Sequence, residues 1–451
     1  MKKLWLGWWI LGLLHMNACT GKSQDQSHEP LDIDFCTRMS GEGLEEFQRE
    51  LLQKISASTC PGTCPLENLE LTPGAARAES LGQRILLIDD AVDLPAFTRY
   101  RSRTLASLRL HPSGRYEETH WKTSINRDAL GILEQVNNYK NFIPVACLDV
   151  ALPFLEKFGA QLPQLTGHGM DILPSLADAN PKAQFVVSED QLSDVLTKDR
   201  LCPLLNDDVG AWSQLDEAIS HMEESLVAAI QKHAINYVHL SWGLEDKGLR
   251  ERFKMCGLQQ PSVEIIQKIL DRYAMLFERM TQLRSPTDRG EQPVYIFQAA
   301  PSASYTLQEN DPNYALDCRL IPGRIRVNAA SYHGFDIPDA GSSGAHALAA
   351  HESNGKACTN FYIVTGYKGL FDPEARRERI PSAPLGLGYL PAPSWPSASS
   401  FANPLGLSLF LYQRQLSPQA GHEEVLQGLL GQGSPRVYDP LLHKQLQIFE
   451  D

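Results

Sequence analysis

Net positive charge is missing from this chain: 41 lysines and arginines stand against 54 aspartates and glutamates, for a net charge of −13. No basic run interrupts that balance, which excludes nucleic acid as a partner. Long apolar runs are scarce as well. The one at the amino end, LWLGWWILGLL from Leu4 to Leu14, falls short of the roughly 18 residues that a membrane-crossing helix needs. Internal repeats are absent, which removes solenoids and propellers. A disorder-type composition is absent too, since 43% apolar and 21% charged residues suffice for a sizeable core. The cysteines of CPGTC, Cys60 and Cys64, lack a second Cys/His pair to complete a zinc site, so a disulfide suits them better than a metal. No cofactor is expected, and whether a structural calcium ion is held is not legible in the sequence.

What is present begins with a leader. Lys2 and Lys3 precede the short apolar run, and HMNAC follows it, which is the three-part plan of an export signal over residues 1–18. Cleavage after Ala18 would leave Cys19 first, a pattern similar to the lipobox of bacterial lipoproteins, whose cysteine is acylated. That resemblance implies a cell-envelope protein anchored to a membrane by lipid on Cys19. A plain signal peptide, giving a periplasmic or secreted protein, is the alternative. The chain has nine cysteines. With Cys19 carrying lipid an even number remains for disulfides, as an oxidising compartment permits.

Residues 20–32 are polar and read as a tether, and 33–78 as a small cysteine-containing module with one amphipathic helix. From residue 84 the pattern changes. RILLIDDAVD (84–93) is a continuous apolar run ending in carboxylates, the mark of a buried parallel strand. AQFVVSED, INYVHLSWG, PVYIFQAA and GRIRVNAAS read as further strands. Helical spacing over 211–234 and 261–283 separates three of them, and a buried helix is expected from Phe401 to about Tyr412. Strands alternating with helices predict an α/β domain over 79–415, a parallel sheet with helices on both faces. Residues 416–451 read as a polar tail.

Three residue types that carry chemistry fall at element ends. Asp89 and Asp90 end the first strand, His168 stands between two glycines before a helical pattern, and Ser400 stands where a serine-rich loop becomes the last helix. Taken singly they are a turn cap, a loop histidine and a helix N-cap. Taken together, in the chain order Asp, His, Ser, they make a nucleophilic constellation.

The motifs around them resemble those of the subtilisin-like serine proteases. LLIDDAVD is similar to the family's Asp motif at Ile88, Asp89, Val92 and Asp93. GHGMDILPSLADANPKAQFVV is similar to its His motif at Gly167, His168 and Gly169. VHLSWGL supplies the S-x-G of a third strand at Ser241 and Gly243, and ASSFANP is similar to the Ser motif at Ser400, Ala402 and Pro404. The resemblance implies a triad of Asp89, His168 and Ser400, with the edge Ser241–Trp242–Gly243 binding an extended peptide or protein substrate. It departs from the family at Asp90-Ala91, Met170-Asp171 and Ala398-Ser399. It departs most at Ser302, where the family's oxyanion-donating Asn is expected. That last departure supports a different reading, a catalytically impaired lipoprotein of the same fold that binds or scaffolds.

Overall fold

The structure is a computed structural model, and it describes residues 49–50, 52–53, 57, 66–74, 82–90, 100–126, 168–180, 182–242, 246–257, 260–300, 319–330, 359–364, 399–430 and 436–438. Cys19, Gly243, Ser302, the leader and the tether as expected above lie outside the described residues; of the amphipathic helix expected in the amino-terminal module, residues 49–50 and 52–53 are described and are helical.

Thirteen strands are described: β1 Leu66–Leu71, β2 Arg84–Ile88, β3 Thr104–Leu110, β4 Tyr116–Thr119, β5 Trp121–Asn126, β6 Gln184–Ser188, β7 Tyr237–Leu240, β8 Arg284–Thr287, β9 Gly290–Pro293, β10 Tyr295–Ala299, β11 Arg324–Ala330, β12 Phe361–Val364 and β13 Arg436–Tyr438. Nine of them form one sheet in the order β13-β12-β11-β10-β7-β2-β6-β3-β4. Every neighbouring pair in it is parallel except β3 and β4. This is an α/β protein with a mainly parallel sheet. β1 pairs with β5 outside that sheet, so the last strand of the expected amino-terminal module is bonded to a strand some 50 residues further on. β8 and β9 form a small hairpin.

The helices are α1 Gly169–Ala179, α2 Lys198–Leu204, α3 Val209–His233, α4 Asp246–Phe253, α5 Val263–Thr281, α6 Ser399–Leu416 and α7 His422–Leu430. They cover both faces, because the central strands are apolar on both. In β2, Leu86 and Ile88 pack with α3 and α5, while Ile85 and Leu87 pack with α1, α6 and α7. Local chemistry starts the long helices: the Asp208 side chain accepts the Ala211 N–H at 2.7 Å, and Ser262 accepts that of Ile265 at 3.3 Å. A disulfide joins Cys202 in α2 to Cys256, 54 residues on, just after α4. In the chain-entropy model closing such a loop stabilises by about 4 kcal/mol.

Two expectations are corrected. The residues after 415 are no mere polar tail, since α7 buries His422, Val425, Leu426 and Leu429, and β13 adds a parallel strand to β12. The last helix also starts earlier than expected. It begins at Ser399 rather than Phe401, and Pro404 lies inside it. Without an N–H, Pro404 cannot bond the Ser400 carbonyl one turn back, and the first turn loses that tie. Among the described residues, no helix is long and apolar enough to cross a membrane.

Candidate active site

The order of the sheet determines where a site can form. β2 has β6 on one side and β7 on the other. The chain leaves β2 toward β3, then turns back to add β6 and crosses β2 to add β7, so the direction of winding reverses beside β2. In open α/β sheets ligand sites gather beyond the carboxyl ends of strands at such a reversal. Asp89 is the residue at the carboxyl end of β2. Its N–H extends the ladder to the Ser188 carbonyl at 2.9 Å, so the position of its side chain is inherited from the sheet.

The Asp89 carboxylate is 1% exposed and accepts the Asp90 N–H at 2.8 Å. Both its oxygens face His168, whose Nδ1 lies 3.0 Å from Oδ1 and 3.1 Å from Oδ2. Burial raises the Asp89 pKa, and the hydrogen bond and charge of His168 work against that rise. With the proton on Nδ1 donated to Asp89, Nε2 is left as an acceptor.

Asp90 has a role that the sequence did not reveal. Its backbone carbonyl and its Oδ1 both accept the Gly169 N–H, at 2.8 and 2.9 Å. It thereby caps α1 from a distant part of the chain and fixes the backbone on which His168 is mounted. The two adjacent aspartates divide the work: one holds the imidazole, the other holds its helix.

The Phe401 ring meets the imidazole edge-on, with centroids 5.1 Å apart and planes at 77°. Phe401 belongs to the first turn of α6, and Ser400 precedes it, partly exposed where Ser399 is buried. The expected Asp89 and His168 are thus hydrogen-bonded, and the segment bearing Ser400 packs on the imidazole. At the carboxyl end of β7, Ser241 is buried and its Oγ lies 3.3 Å from His239 Nδ1. The Trp242 carbonyl accepts the Gln298 amide at 3.3 Å.

His239 was not singled out in the sequence. It is wholly buried, and burial, with the charge of His168 adding, pushes its pKa down to about 3. Its Nε2 lies 3.0 Å from Asn403 Nδ2. The sequence offered only an unremarkable HLS triplet and an Asn within an apolar helix. Asp89, Asp90 and His168 bring ligand-type atoms within 4.8 Å of one another, as a divalent cation would require. The hydrogen bonds just described already use Asp89 Oδ1, Asp90 Oδ1 and His168 Nδ1. The searches for known families and curated proteins returned no family model and no curated protein that matches this chain.

Proposed function

We propose that this chain is a serine-type endopeptidase of the subtilisin-like kind, exported and held at the bacterial cell envelope by lipid on Cys19. One observation carries the reading. The Asp89–His168 pair stands at the carboxyl end of the central strand, and the residue after Ser400 packs against its imidazole. Ser400 Oγ attacks the scissile carbonyl carbon as its proton passes to His168 Nε2. The tetrahedral intermediate collapses as His168 returns that proton to the leaving amine, and water then releases the acyl group by the same steps in reverse. The N–H groups in the first turn of α6, with Ser302, stabilise the oxyanion. On the resemblance, the segment Ser241–Trp242–Gly243 that follows β7 would be the one along which substrate lies.

The experiment is labelling of the full-length chain by a fluorophosphonate, followed by detergent-phase partition. The wild type should label at Ser400 and Ser400→Ala should not, and the labelled band should enter the detergent phase. Labelling that survives Ser400→Ala removes the nucleophile, and a labelled band confined to the aqueous phase removes the lipid anchor. A serine at position 302, where the resemblance calls for Asn, favours a second reading, a binding lipoprotein of weak or no activity. Wild-type protein that never labels would select it.

A further inference from the structure

The first turn of α6 has an unusual attachment. Residue 404 is proline, so the helical bond that would tie the Ser400 carbonyl is missing. One turn on from Ser400, Asn403 is wholly buried. Its Nδ2 lies 3.0 Å from His239 Nε2, 3.0 Å from the Leu240 carbonyl and 3.1 Å from the Phe297 carbonyl. Three acceptors surround one amide nitrogen, so the amide orientation is unambiguous. The reversed orientation would set oxygen against two carbonyls. His239 must then carry its proton on Nδ1, toward Ser241 Oγ.

The arrangement has a local cost. Asn403 Oδ1 is buried with no hydrogen-bond partner among the described residues, a penalty of about 1–3 kcal/mol that a leucine in an apolar helix would avoid. Rules broken locally in this way concentrate where function is served. We propose that Asn403 and His239 are a positioning pair that holds the first turn of α6 on the carboxyl ends of β7 and β10 and so sets Ser400 against His168. The inference rests on the reading of Ser400 as a nucleophile. Neither residue touches substrate; both act through Ser400. His239 suits the task because it stays neutral beside His168, so the catalytic imidazole can take up a proton without a second cation behind it.

The test uses the full-length chain, with two readouts on Asn403→Ala, His239→Leu and His239→Gln. The first is fluorophosphonate labelling, resolved into reversible binding and the bond-forming rate. Asn403→Ala and His239→Leu should lower the bond-forming rate by about 10²-fold, the effect of a misplacement near 1 Å, with reversible binding unchanged. His239→Gln, whose side-chain oxygen can accept from Asn403, should recover most of that loss. The second readout needs no activity: amide exchange at Leu405 and Gly406 should quicken at least about tenfold in Asn403→Ala, while Leu409–Leu411 hold the wild-type rate. Should Asn403→Ala fail to fold, the two His239 variants carry both readouts. Wild-type labelling rates and wild-type exchange in the folded variants would overturn the pair. Wild-type protein that does not label, combined with quickened exchange, would instead sink the nucleophile and leave the pair as a clamp on the helix.

Discussion

At the scale of single residues, Asp89 is the sharpest test of the site. Asp89→Asn keeps an oxygen for the Asp90 N–H and turns an NH2 toward His168 Nδ1. The imidazole must then accept at Nδ1 and carry its proton on Nε2, where it cannot take one from Ser400. On the triad reading, the labelling rate should fall by about 10⁴-fold. Stability should move the other way or not at all. Burial raises the Asp89 pKa, so its ionised form is disfavoured in the fold and a neutral isostere relieves that. Thermal unfolding at pH 7 checks the second half. A labelling rate within tenfold of wild type would reduce the Asp89–His168 bond to a structural one.

At the scale of elements, α6 decides the geometry, because it crosses β10, β11 and β12 at close range and brings Ser400 to the sheet. Gly406 permits that approach. A Cβ there would stand 2.7 and 2.9 Å from the two methyls of Val327 and 3.2 Å from the Phe361 ring. Alanine in a helix interior gains about 1 kcal/mol over glycine. Val327 is β-branched and stiff in its strand, so it cannot swing away, and overpacking of this kind costs about 1–3 kcal/mol. The clash should win. Gly406→Ala should lower the urea midpoint with an unchanged m-value, and a variant as stable as wild type would show that the contact has room to give.

At the scale of the whole molecule, two buried histidines give the fold an acid limit. Burial lowers His239 to about 3 and, with the Arg414 and Arg289 charges adding, His422 to about 4, against 6.5 when unfolded. A depressed pKa means that the unfolded chain takes up protons first. Their contribution to stability is therefore complete above about pH 6.5 and is lost as pH falls toward 4 and 3. Asp89 and Asp190, raised by burial, act in the opposite sense, and their effect begins only around the ordinary carboxylate value of 3.8 and above. The unfolding temperature should fall steadily from pH 6.5 to 4.5. His422→Gln, which can still bond the Tyr237 hydroxyl that now meets Nε2 at 2.8 Å, should flatten the fall. At about 1.4 kcal/mol per pKa unit, and with the titration not yet complete at pH 4.5, His422 accounts for roughly 2 kcal/mol of it. Equal slopes in the two proteins would remove His422 from the account.

The sequence by itself determined the α/β class, because strands buried on both faces must be mainly apolar and RILLI, QFVV and YIFQA each carry one polar residue only, Arg84, Gln184 and Gln298. It also determined α3 and α5, whose apolar spacing is helical, and it singled out Asp89, His168 and Ser400 by residue type at element ends. Short or mixed-polarity strands were not legible. β3, β4 and β5 lie within residues 95–160, where apolar and polar residues mix without a clear period, and β12 and β13 are too short to carry one. Only the tertiary structure decided that Asp89 and His168, 79 residues apart, are bonded, that Asp90 caps the helix bearing His168, and that Asn403 reaches His239, 164 residues away. Periodicity records which side of an element is buried. The partner of a buried polar group is set by the order in which strands lie beside one another, and no local stretch of sequence contains that order.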